Sequence, residues 1–202
     1  PNTWRLVKKN KQYFYQDHKN KIILNSKNIY SKGILENVCH AIKIALDLKI
    51  NKKVIKKTIP KIIFEGRFQY LRSGKIKNKL NVNEKIMIDG AHAEVDAKNL
   101  SDYLKSIKIP RYGIWAMMKN KDPDLFIKQF KNIFKKIITI PIENEKGTLN
   151  NNKLYQIALK NNITVNKANN FNEALKKISS KEKKLIVCFG SLYNAGNILN
   201  KN

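Results

Sequence analysis

The feature that most constrains this chain is the strict alternation of short apolar runs with amphipathic stretches after about residue 72. The runs Ile86–Ile88, Tyr112–Met118, Ile137–Ile140, Ile163–Val165 and Leu185–Phe189 read as strands, several of them apolar enough to be buried on both faces. Between them, Glu94–Ser106, Pro123–Phe134, Asn151–Lys160 and Asn172–Ile178 carry helical spacing, and a last helix is expected over Tyr193–Leu199. Such alternation predicts an α/β fold, a Rossmann-like domain over 72–202 with a mostly parallel sheet and helices on both faces.

The first sixty residues follow another pattern. Trp4-Arg5-Leu6-Val7, Tyr13-Phe14-Tyr15 and Ile22-Ile23-Leu24, separated by polar turns, predict two or three antiparallel strands. Ile34 to Leu48 has apolar residues at 34, 35, 38, 41, 42, 45 and 48, a helix with a wide buried face. A second helix is expected over Lys53–Lys57, ending near Pro60. The expected organisation is therefore the β/α tail of one domain over 1–63, an interdomain linker over 64–71, and a whole domain over 72–202. The chain opens at Pro1 without an initiator Met, and a fragment of a longer protein is expected.

Composition narrows the partners. The net charge of +26 invites a nucleic-acid-binding reading, kept as an alternative. The lysines, however, are spread along the chain among asparagines, as in Asn51-Lys52-Lys53, rather than gathered into a stripe, so no specific nucleic-acid partner is expected. No apolar run is long enough for a membrane span and no signal peptide opens the sequence, so a cytoplasmic protein without a membrane partner is expected. Cys39 and Cys188 lie far apart in apolar segments and suit reduced core thiols. His18, His40 and His92 have no metal-ligand spacing.

Four places could carry chemistry. Asp89-Gly90-Ala91-His92 follows an apolar strand, where open α/β sheets bind ligands, and two small residues there would let a ligand approach the backbone. Arg67, in Gly66-Arg67-Phe68-Gln69, suits a phosphate, although an ordinary salt bridge is the other reading. Asn37 steps with Ala41, Ala45 and Leu48 along the first helix, so its amide is expected on buried or cleft-facing surface; a local helix-start bond is equally open. Gly190-Ser191-Leu192-Tyr193-Asn194-Ala195-Gly196 joins a strand to a helix N-terminus, which offers free N–H groups to an anion. No Gly-x-x-x-x-Gly-Lys-Ser/Thr phosphate loop occurs.

Together these residues resemble the C-terminal portion of the folylpolyglutamate synthase/dihydrofolate synthase family of the Mur ligase superfamily. That family carries Asp-Gly-Ala-His-Asn-Pro, similar to Asp89-Gly90-Ala91-His92 here, with Ala93-Glu94 standing where it has Asn-Pro. Its linker Trp-Pro-Gly-Arg-(Phe/Leu)-Gln is similar to Phe64-Glu65-Gly66-Arg67-Phe68-Gln69, and its Asn-Ala-x-x-Ala helix to Asn37-Val38-Cys39-His40-Ala41. Gly190 to Gly196 meets the final Gly-Ser-Leu-Tyr-x-Ala-Gly in full, and Trp115 to Asp122 resembles a family segment ending in Lys-Asp.

The resemblance implies an ATP-dependent ligase that adds L-glutamate to dihydropteroate, to folates, or to both, through an acyl phosphate. Residues 1–63 would then be the tail of a Mur-type ATPase domain. The missing N-terminal part would hold the phosphate loop, the Mg²⁺ ligands and most of the pterin site. On this resemblance Asn37, Arg67 and Asp89 contact ATP, His92 is catalytic and positions glutamate or the acyl phosphate, and Ser191 binds glutamate. No metal ligand is expected in this chain. The fragment alone is expected to be inactive, and the protein a monomer. A peptidoglycan Mur ligase domain is the near alternative.

Overall fold

Alternating side chains in the first residues pair into an antiparallel meander of β1 (Trp4–Lys9), β2 (Gln12–Asp17) and β3 (Lys21–Ile23). In this computed structural model residues 4–10, 12–26 and 31–202 are described, and the chain divides into two compact units, Pro1–Phe64 and Glu65–Asn202. The β2–β3 turn closes because the Asp17 carboxylate accepts the N–H groups of Lys19 and Asn20, at 2.7 and 2.6 Å. Helix α1 (Lys32–Asp47) starts where the Ser31 hydroxyl caps the Ile34 N–H, and α2 (Lys52–Thr58) follows, capped by Asn51.

The buried face of α1 is Ile34, Leu35, Val38, Cys39 and Ile42, which leaves Asn37 and Ala41 exposed and Leu48 70% exposed. Of the expectation that Asn37 lies on buried or cleft-facing surface, the buried alternative is corrected. The helix is apolar over more than half its circumference, so two stripes compete for the core. The one with the larger β-branched and Leu side chains wins.

The second unit contains β4 (Gln69–Tyr70), α3 (Lys75–Asn78), β5 (Glu84–Ile88), α4 (Glu94–Lys105), β6 (Arg111–Trp115) and α5 (Pro123–Lys128). It continues with β7 (Lys136–Thr139), α6 (Asn151–Lys160), β8 (Val165–Lys167), α7 (Phe171–Ile178), β9 (Lys184–Phe189) and α8 (Leu192–Asn200). Its six strands run in the order β4-β5-β9-β6-β7-β8, all parallel except β4, which pairs antiparallel with β5. This is the mostly parallel sheet the alternation predicts. The segment 65–71 belongs to this unit, and part of it is an edge strand.

One face of the sheet packs Ile86, Ile88, Ile114, Ile138 and Ile186 with Phe171, Leu175 and Ile178 of α7 and Ile198 of α8. On the other, Phe126 of α5 stacks on Trp115 and Phe189. Here α5 is shorter than its apolar period suggests. The helix stops at Lys128, Asn132 turns left-handed at φ 61°, and Phe130 and Phe134 reach Phe189 through turns rather than along one helical face.

At the amino end of the sheet an ion pair is sealed in the core. Lys184 Nζ lies 3.5 Å from Glu84 Oε1, with side chains 1% and 0% exposed. Burial pushes the Glu84 carboxyl up, but the N–H groups of Ser180 and Asn81 and the Lys184 charge outweigh it and hold it below the ordinary carboxylate range. Lys184 also donates to the Ile178 carbonyl and sits over the Tyr112 ring. Removing one partner strands the other charge, so Lys184→Met should lower unfolding free energy by about 3–5 kcal/mol, read by urea titration. A loss under 1 kcal/mol would mean that water reaches Glu84.

Candidate functional site

The carboxyl ends of β5 and β9 are neighbours in the sheet, and the two motifs that follow these strands meet there. Asp89 is 1% exposed and anchored through its own N–H to the Cys188 carbonyl, at 2.8 Å. Its carboxylate accepts two backbone donors, Ala91 N at 2.7 Å and Phe68 N at 2.8 Å. Burial raises the Asp89 carboxyl to about 6, against the opposing pull of those two N–H groups and of Arg67.

Phe68 is the residue that sequence reasoning passed over. Its φ of 47° is a left-handed conformation that a bulky side chain adopts only under constraint, and Gly66 two residues before it has φ 65°. Three contacts hold the turn. Gly66 N donates to Gln69 Oε1 at 2.7 Å, the Gly66 carbonyl accepts from Gly90 N at 2.6 Å, and the Phe68 ring packs edge-on against Tyr103 at 5.1 Å. Arg67 is thereby fixed at the apex of a strained turn. Its Nη1 lies 4.0 Å from Asp89 Oδ1 and 3.5 Å from Asp96 Oδ2.

His92 lies beside this pair. Its Nδ1 is 2.8 Å from the Gly90 carbonyl, which can only accept, so Nδ1 carries a proton. The same Nδ1 is 4.0 Å from Asp96 Oδ2. Asp96 was also unforeseen. It stands in the first turn of α4, where a carboxylate is favoured by the helix N-terminus, and its position four residues after His92 was the available signal.

Ser191 is 2% exposed and caps α8; its hydroxyl oxygen accepts from Tyr193 N and Asn194 N. Gly190 has φ 103°, and a Cβ there would fall 2.3 Å from the Ala116 carbonyl oxygen, so the turn tolerates only glycine. Gly90 is also closely packed. A Cβ at 90 would lie 2.2 Å from Leu192 Cδ2, so the absent side chain admits the start of α8. Arg67, Asp89 and His92 thus gather at one strand end, with Ser191 at the next. Asn37 lies in the first unit, exposed on α1. Among the described residues no three His, Cys, Asp or Glu side chains are grouped to hold a metal ion.

The fold is similar to that of solved folylpolyglutamate and dihydrofolate synthases. FolC of E. coli, in complex with DHPP and ADP, superposes with a TM-score of 0.77 at 15% identity over 98% of this chain and 45% of its own. The folylpolyglutamate synthase of Thermotoga maritima gives 0.72 at 21% identity over 94% and 42%. The bifunctional folylpolyglutamate synthase/dihydrofolate synthase of Yersinia pestis, complexed with AMPPNP and Mn ion, gives 0.77 at 13% over 98% and 45%. The chain spans less than half the length of these solved relatives. No curated protein sequence matches it.

The pattern of the dihydrofolate synthetase C-terminal domain matches residues 72–201, and the chain belongs to that family. No helix among the described residues is long and apolar enough to cross a membrane.

The buried acid makes a prediction about pH. The folded pKa of about 6 lies above the ordinary aspartate value, so the folded state holds a proton that the unfolded chain has released between about pH 4 and 6. Stability contributed by that proton is present below this window and lost as pH rises through it. Relative to Asp89→Asn, wild type should therefore lose about 3 kcal/mol between pH 4 and 7, measured by urea midpoints at each pH. A pH-independent difference would show that Asp89 is not desolvated as described.

Proposed function

We propose that this chain is the C-terminal part of an ATP-dependent ligase that joins L-glutamate to dihydropteroate, to folates, or to both. The observation that carries this reading is the convergence at the β5 carboxyl end. A strained turn presents Arg67 beside the motif acid and His92, next to the helix start that bears Ser191.

The chemistry proceeds through an acyl phosphate. The terminal phosphoryl group of ATP passes to a substrate carboxylate, releasing ADP. The amine of glutamate attacks the activated carbonyl and loses a proton, and the tetrahedral intermediate expels phosphate to leave the amide. Arg67 suits the phosphate chain, because its guanidinium is fixed before the ligand arrives and meets charge as it develops. Asp89 acts differently from a direct ligand. Both its oxygens are committed to backbone donors, so it braces the turn that aims Arg67.

His92 offers Nε2 as an acceptor for the proton that the amine sheds, or as a contact for glutamate. Ser191 keeps its hydroxyl hydrogen, since its oxygen only accepts within the chain, and that hydrogen and the α8 N-terminus suit the glutamate carboxylate. The ATP contact at Asn37 rests on the motif alone. The phosphate loop and Mg²⁺ ligands are proposed to lie in a part of the enzyme outside this sequence.

Two measurements test the reading. With ATP, dihydropteroate and glutamate, the 202-residue chain alone should release no ADP in a coupled assay. Arg67→Ala should weaken ADP binding to the chain by roughly tenfold or more, in line with loss of a charge-assisted contact, while Lys75→Ala should leave it unchanged. Equal effects of the two substitutions would remove Arg67 from the nucleotide site.

A further inference from the structure

Arg67 is flanked by two carboxylates of different kinds. Asp89 is sealed, 1% exposed, and its oxygens are used by Phe68 N and Ala91 N. Asp96 is about a third exposed, no backbone donor among the described residues engages its carboxylate, and its Oδ2 is the nearer to the guanidinium, at 3.5 Å against 4.0 Å. Arg67 itself is about a third exposed, so both members of this pair meet solvent. An anion that reaches the guanidinium from solvent must displace this carboxylate, or share Arg67 with it against like-charge repulsion.

We propose that Asp96 is an internal competitor for the anion site, an affinity-setting residue that occupies Arg67 until a phosphate chain displaces it. The inference rests on the reading of Arg67 as a phosphate contact. Its physical basis is that a unit charge a few ångströms from a bound anion, partly exposed, changes affinity severalfold, whereas an exposed Arg–Asp pair contributes little to stability. Asp96 therefore costs the site affinity while adding little to the fold. It remains within 4.0 Å of His92 Nδ1, so the displaced carboxylate has a second neighbour to turn to.

The test is titration of the full 202-residue chain with pyrophosphate and with ADP at fixed ionic strength. Asp102→Asn, also on α4 but paired with Lys105, serves as a net-charge control. Asp96→Asn should bind pyrophosphate roughly three- to tenfold tighter than wild type. Asp96→Glu, which restores the charge, should bind as wild type does, and Asp102→Asn should show no gain. In the Arg67→Ala background the gain from Asp96→Asn should vanish. Equal or weaker binding by Asp96→Asn, the same gain in Asp102→Asn, or no pyrophosphate binding by any variant would overturn the proposal. The underlying reading fails separately: in that case Arg67→Ala leaves wild-type ADP binding unchanged. If Arg67→Ala abolishes ADP binding while Asp96→Asn gives no gain, only the competitor role is lost.

Discussion

A single buried carboxylate organises the site. Asp89 accepts one backbone N–H from its own turn, at Ala91, and one from the segment 21 residues earlier, at Phe68. The second bond spans the gap between an edge segment and the sheet, and it holds Phe68 in a conformation that costs of order 1–3 kcal/mol. Everything outward follows from this clasp. The direction of Arg67, its approach to Asp96 and the placing of the Gly66 carbonyl over Gly90 N all require the 66–68 turn to stay closed. Burial keeps the clasp strong and raises the carboxyl to about 6, so the group that orders the site is also one whose ionisation is costly.

Much of the second unit was legible because strand and helix periods differ. Ile86, Ile88, Ile186 and Cys188 alternate with residues packed on the opposite face, and Asn150, Asn170 and Ser191 mark helix starts by their side-chain chemistry. Asn151–Lys160 needed nothing more than its own spacing and cap. Where rings pack from several directions the period misled. Phe126, Phe130 and Phe134 are spaced as one helical face yet converge on Phe189 from a short helix and two turns. The same limit applies to α1, whose two apolar stripes left the outward position of Asn37 open until packing decided it.

The site was legible in part for a different reason. Motif residues announce chemistry, and Arg67, Asp89 and His92 do gather. What a motif does not announce is which groups hold and which reach. Asp89 reads as a ligand contact in one dimension; in three, each of its oxygens also accepts a backbone N–H. Gly90 reads as room for a ligand, and in the fold it also makes room for Leu192. Phe68 and Asp96 escaped because nothing local marks a left-handed aromatic, or an acid that meets an arginine 29 residues away.

The position of β9 carries a consequence for how the molecule is made. It is the last strand of its sheet to be synthesised, yet it lies between β5 and β6, and it pairs Ile88 with Cys188 across a hundred residues. Until that strand emerges, β5 and β6 have no partner between them, and the Cys188 carbonyl that anchors Asp89 does not exist. Closure of the sheet is therefore a long-range, late event, which places this unit among slow-folding topologies.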